Sequence, residues 1–156
     1  SCDAYCTEIE KNCYGANIQY NDMPSCLSTC GALPSGNAGD MDGNSLHCRV
    51  YHAGVAAMDP ATHCTHAGPG GAGACGSNCE SFCSIATKIC PTQHPDNAQC
   101  MTECMGINDT EKYDATDAAG NTLACRIYHL TVASTSAADA TTHCPHTVAK
   151  MSAVCK

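Results

Sequence analysis

Residues 1–30 read SCDAYCTEIEKNCYGANIQYNDMPSCLSTC. Cys2, Cys6, Ile9 and Cys13 recur at steps of 4, 3 and 4, which is one face of an α-helix. Cys26 and Cys30 repeat the four-residue step on a second segment. Two antiparallel helices with cysteines at i and i+4 can be joined by two rungs, outer to outer and inner to inner. The stretch therefore predicts a helical hairpin closed by Cys2–Cys30 and Cys6–Cys26.

The pattern returns 77 residues after Cys2, where Cys79, Cys83, Ala86 and Cys90 form the same face and Cys100 and Cys104 the second segment. The pairs predicted there are Cys79–Cys104 and Cys83–Cys100. All sixteen cysteines divide this way. Cys2, Cys6, Cys13, Cys26, Cys30, Cys48, Cys64 and Cys75 form one set. Cys79, Cys83, Cys90, Cys100, Cys104, Cys125, Cys144 and Cys155 form the other. The reading is a duplicated unit, residues 1–76 and 77–156, with four disulfides in each. Eight cysteines allow 105 pairings. For the four left over in each unit the expected pairs are Cys13–Cys48 with Cys64–Cys75, and Cys90–Cys125 with Cys144–Cys155.

The fold class that follows is mainly α and disulfide-rich: two tandem helical hairpins, each extended by a third helix and loops. Gly31 and Gly106 are read as helix stops. Ser45 and Asn121-Thr122 stand where a cap would open the third helix, which carries Cys48 to His52 and Cys125 to His129. Asp59-Pro60 reads as a cap and first helical position, with Asp139 as its counterpart. The run Gly68 to Gly76 is the boundary between units, short enough that the two should touch.

Composition explains the staples. The chain has no Trp and a single Phe, Phe82, so a unit this small cannot rest on its apolar core alone. Disulfides at this density belong to an oxidising compartment, and the expected location is secreted, extracellular or cell-surface. Ser1-Cys2 with no apolar leader is read as a mature chain whose signal peptide has been removed. The formal net charge of −8 argues against nucleic acid as a partner, and no 18-residue apolar run suggests a transmembrane segment.

The densest chemical signal is Cys-Arg-[Val/Ile]-Tyr-His followed by His-Cys-x-His, present once per unit. Both arginines of the chain, Arg49 and Arg126, hold the same repeat position. So do six of eight histidines: His52 with His129, His63 with His143, His66 with His146. Neutral imidazoles suit Cu, Zn, Ni or Fe, and Tyr or Asp could complete the shell. The same residues could ligate haem axially, though no Cys-x-x-Cys-His attaches it covalently. The competing reading is structural. The rings would bond backbone, Arg49 would pair with Asp59 or Asp40, and Arg126 with Asp139 or Asp117. Tyr51 and Tyr128 would supply scarce aromatic core. His47 and His94 lack repeat partners and are expected to face solvent.

The runs Gly-Asn-[Ser/Thr]-Leu-x-Cys-Arg-x-Tyr-His and Thr-His-Cys-x-His resemble segments of secreted cysteine-rich proteins from myxobacteria and other Gram-negative bacteria. That resemblance implies export and a duplicated disulfide fold, and it carries no catalytic residue. The leading functional expectation is a secreted structural or interaction protein that self-associates, such as a subunit of an extracellular assembly or filament. The alternative is an extracellular transition-metal or haem-binding protein for electron transfer or metal handling. A hydrolase is disfavoured by the absence of a nucleophile motif and a spare thiol.

Overall fold

The computed structural model describes all 156 residues and is entirely helical, with no strand. Its eight α-helices are α1 (Cys2–Asn12), α2 (Met23–Ala32), α3 (Leu46–Val55), α4 (Pro60–Ala67), α5 (Asn78–Ile89), α6 (Asn97–Cys104), α7 (Leu123–Ala133) and α8 (Ala137–His143). Short 3-10 turns follow α1 and α8.

Each helix starts where a side-chain oxygen can take an otherwise orphaned backbone N–H. Ser45 accepts from the Cys48 amide to open α3, and Thr122 accepts from Cys125 to open α7. Ser77 and Glu80 form a reciprocal capping box at α5. Asp59 caps α4 ahead of Pro60, as read from the sequence. Its counterpart Asp139 does not cap α8. That repeat has Ala140 in place of the proline, so the helix begins earlier, with Ser136 as its cap. Asp139 lies in the first turn and accepts from the Thr135 and Ser136 hydroxyls. Gly31 is not a stop either, because α2 continues to Ala32.

All sixteen cysteines are paired. The hairpin rungs are Cys2–Cys30, Cys6–Cys26, Cys79–Cys104 and Cys83–Cys100, as the spacing predicts. The longer-range pairs differ from expectation: Cys13–Cys64, Cys48–Cys75, Cys90–Cys144 and Cys125–Cys155. The cause is packing order. Cys13 closes α1 directly beneath α4, so its partner comes from α4. Cys48 opens α3 beside the glycine-rich segment, where the Gly43 amide bonds the Ala74 carbonyl and brings Cys75 alongside.

Two apolar clusters fill the molecule. One gathers Tyr5, Ile9, Tyr20, Ala53 and Ala67 around the first four helices. The other gathers Phe82, Ile85, Leu123, Ile127 and Leu130, and takes in Ala32 and Leu33 from the end of α2. Hydrogen bonds also tie the first 76 residues to the rest. Tyr113 donates to the Gln19 carbonyl at 3.1 Å, the Ala115 amide to Ile18 at 2.8 Å, and Asn44 to the Ser84 hydroxyl at 3.0 Å.

Tyr51 does not join a core. It is 41% exposed. Only Tyr128 packs, partly buried, against the second cluster. His94 is not solvent-facing: it is 3% exposed, edge-on to Phe82, with Nε2 2.9 Å from the Thr147 hydroxyl. No helix is long and apolar enough to cross a membrane. Eight disulfides suit an oxidising environment.

Candidate metal centres

Helix α3 begins at Ser45, and its buried face is Cys48, Arg49, His52 and Ala53. Cys48 is fixed by Cys75. Arg49 is fully buried, without a carboxylate partner. Its Nε donates to the Gly68 carbonyl at 3.0 Å, Nη1 to Ser45 at 3.0 Å and Nη2 to the Ser81 hydroxyl at 2.7 Å. Arg126 does the same job at the other end of the chain, donating to the carbonyls of Val148, Thr122, Ala149 and Lys150. Asp40, Asp59, Asp117 and Asp139 thus play no part in holding the arginines. A planar fork with five donors can gather several carbonyls at once, and here it clamps the segment after α4 onto α3.

The clamp presents His52 one turn further on. Helix α4 carries His63 and His66 on the same side, and the Cys13–Cys64 disulfide between them holds that helix to α1. One ring nitrogen from each of His52, His63 and His66 comes within 4.8 Å of the others. The Nδ1 atoms of His52 and His63 are 2.8 Å apart. The other nitrogen of His52, Nε2, is 3.1 Å from the Met41 carbonyl oxygen. A carbonyl only accepts, so Nε2 carries the proton and Nδ1 offers its lone pair to the cluster. His66 stands edge-on to His52, with centroids 4.9 Å apart, and its Nδ1 is buried without a hydrogen-bond partner.

The second copy reproduces each feature. His129, His143 and His146 come together, with the Nδ1 atoms of His129 and His143 3.0 Å apart. Nε2 of His129 lies 2.9 Å from the Ala118 carbonyl, and Nδ1 of His146 is buried and unpartnered. Tyr51 and Tyr128 set their rings edge-on against His52 and His129.

Burial favours the neutral, metal-ready form of His52, His66, His129 and His146. Desolvation pushes the His52 pKa below its ordinary value, His63 adds to the shift, and the bond to Met41 opposes it. His66 is lowered by burial and then by His52 and His63. His129 and His146 are lowered in the same direction, again chiefly by burial. Sulfurs of Cys48 and Cys75 also lie near His52, as do those of Cys125 and Cys155 near His129, but they are disulfide-bonded and offer no thiolate. The Asp59 carboxylate is engaged with the Thr62 amide at the helix start.

The sequence singled out all six histidines, but it gave no sign of Met41 and Ala118. Both act through backbone oxygens, so their side chains carry no signal. The Asp40–Asn44 segment is what supplies the Met41 carbonyl.

A family model described as the BfoA family C-terminal domain matches residues 1–80. Among curated proteins, Aurasperone B biosynthesis cluster protein A of Aspergillus niger is 38% identical over 71 residues, 45% of this chain and 23% of that protein. Bifonsecin B biosynthesis cluster protein A of Aspergillus brasiliensis is 38% identical over 73 residues, 45% of this chain and 24% of its own length. The chain thus spans about a quarter of these relatives. No solved structure matches. The resemblance to proteins of myxobacteria and other Gram-negative bacteria is thereby corrected, since the first Cys-Arg-x-Tyr-His motif lies inside the matched stretch and these relatives are fungal. With 80 of its 156 residues matched, the chain belongs to the BfoA family.

Proposed function

We propose that this protein is an exported, disulfide-stapled scaffold holding one first-row transition-metal ion at each of two tri-histidine centres. The observation that carries the reading is the pair of buried, unpartnered nitrogens, Nδ1 of His66 and of His146. Leaving a buried polar atom unpaired costs about 1–3 kcal/mol. An N–H···N hydrogen bond accounts for His52 with His63, and for His129 with His143, but leaves the third ring of each set unexplained. A cation shared by all three rings gives the third ring of each set a partner as well.

The geometry supports the same reading. Two nitrogens bound to one ion at about 2.0–2.1 Å lie roughly 2.9 Å apart at a right angle and roughly 3.3 Å apart at the tetrahedral angle. The distances of 2.8 and 3.0 Å fall near the first value. A ring whose far nitrogen donates to a carbonyl is the usual support of a metal-bound histidine. Three neutral imidazoles without thiolate or carboxylate suit copper or zinc, and copper(II) stands above zinc in the affinity order for such donors. Haem fits less well. The rings of each triad lie 4.9–5.8 Å apart, one pair stacked and the others edge-on, which crowds the space a macrocycle would need beside an axial nitrogen.

Paramagnetic resonance of copper-loaded protein tests the assignment. Hyperfine structure from three imidazole nitrogens at two equivalent sites is expected, and a spectrum of aqueous or backbone-bound copper would contradict it.

A further inference from the structure

The two copies of the unit differ in what covers them. Helix α2 packs across α7, where the Ser28 and Thr29 hydroxyls meet that of Ser134 at 2.8 and 3.1 Å. Along the same helix Ala124, Ile127 and Thr131 are all but sealed from solvent, at 3%, 2% and 2% exposure, with Ile127 also against Gly70. The matching positions on α3 are His47, Val50 and Gly54. His47 is half-buried, Val50 is 39% exposed and Gly54 is open. The other partner shows the same imbalance. On α2, Thr29 and Ala32 are 0% and 4% exposed. Their counterparts, Glu103 on α6 and Gly106 just beyond it, are exposed, and Met105 between them is 75% exposed.

The molecule therefore contains one copy of an α2-on-α7 contact and both halves of a second copy, left unmade at its two ends. Within one molecule α6 does not pack on α3, so the second contact stays open. Surfaces that are complementary but lie at different places on one molecule join head to tail, and such joints propagate unless the rotation closes a ring.

We propose that the occupant of the open α3 face is α6 of a second copy of this chain, in a head-to-tail contact patterned on the internal packing of α2 on α7, with Ala57 in the place of Ser134 and so without its hydroxyl bonds. Val50 takes the place of Ile127 in that joint. Glu103 takes the place of Thr29, setting a carboxylate where the internal contact has a hydroxyl, so the external joint is the weaker of the two. The reading is independent of metal, since no histidine of either triad belongs to the joint.

Sedimentation velocity in the presence of a chelator tests it, over rising protein concentration at physiological salt. The expected result is a mean mass that grows without a plateau at the dimer. Val50→Lys, a substitution at an exposed position, should abolish the growth with the helical circular dichroism unchanged. Glu103→Thr should bring association on at several-fold lower concentration. A chain that stays monomeric at millimolar concentration even as Glu103→Thr overturns the proposal. So does a plateau at the dimer, or a Val50→Lys variant that associates like the parent.

Discussion

The Nδ1 atoms of His52 and His63 stand 2.8 Å apart while the far nitrogen of His52 meets the Met41 carbonyl at 3.1 Å. His129, His143 and Ala118 repeat the relationship at 3.0 and 2.9 Å. An arrangement held twice, on helices fixed at their roots by disulfides, has its donors in place before any ligand arrives. Preorganisation of this kind lowers the entropic cost of binding.

Metal should stabilise the fold by mass action. At a free-ion concentration about 100 times Kd the gain is about 2.7 kcal/mol per site. Copper or zinc titration followed by thermal unfolding should therefore raise Tm in the parent chain, and by less in His66→Ala, which retains one intact triad. Equal rises in the two proteins would place binding elsewhere.

The Cys13–Cys64 bond closes a loop of 51 residues and anchors the helix that bears His63 and His66. Replacing both cysteines with Ala should cost about 4 kcal/mol by the loop-entropy relation. It should also weaken metal binding at the first triad and spare the second. Peptide mapping without reduction should recover Cys13 linked to Cys64. Recovery of Cys13 linked to Cys48 would refute the packing of α1 beneath α4.

These pairs mark the limit of what the sequence conveys. The hairpin rungs were legible because both cysteines of each rung lie on helices whose faces the four-residue step defines by itself. The long-range pairs depend on which helix lies over which, a tertiary fact without a local signature. The face of α3 shows the same limit. Spacing groups Cys48, Tyr51, His52 and Val55, but the Arg49 clamp turns the helix so that Arg49 and Ala53 go inward and Tyr51 outward. The histidines were legible because duplication repeats them, whereas the carbonyls that fix their tautomers were not.

Arg49 is the second point of stress. Removing its side chain as Arg49→Ala strands the Gly68 carbonyl, takes one of two donors from the Ser45 carbonyl and leaves the Ser81 hydroxyl without its donor. Hydrogen bonds to a charged group are worth about 1.5–3 kcal/mol each, so a loss on the order of 3 kcal/mol or more is expected in denaturant unfolding. Arg49→Lys should rescue little of it, because a point ammonium cannot span three acceptors set for a planar fork. Full rescue by Lys would mean that charge alone matters at this position.

Stability should fall in mild acid, in part through His94. Its pKa is held below the ordinary 6.5, mainly by burial, with Glu103 and the contact at Thr147 opposing the shift. Above pH about 6.5 the ring is neutral in both folded and unfolded chains and makes no contribution to the pH dependence. Below it the unfolded chain takes up the proton first, so stability drops until the folded pKa is reached. Burial lowers His52, His66, His129 and His146 in the same direction. Metal-free His94→Gln should accordingly show a shallower, not a flat, decline in Tm from pH 7 to 5. A slope equal to that of the parent would show that His94 has no part in it.

The most direct test of the central claim is metal stoichiometry. Chain stripped with a chelator, loaded with copper(II) or zinc(II), desalted and measured by elemental analysis should retain two ions per molecule. His66→Ala should retain one and the double variant His66→Ala with His146→Ala none, with circular dichroism unchanged in both. A parent chain that retains no metal, or a double variant that retains as much as the parent, would contradict the account.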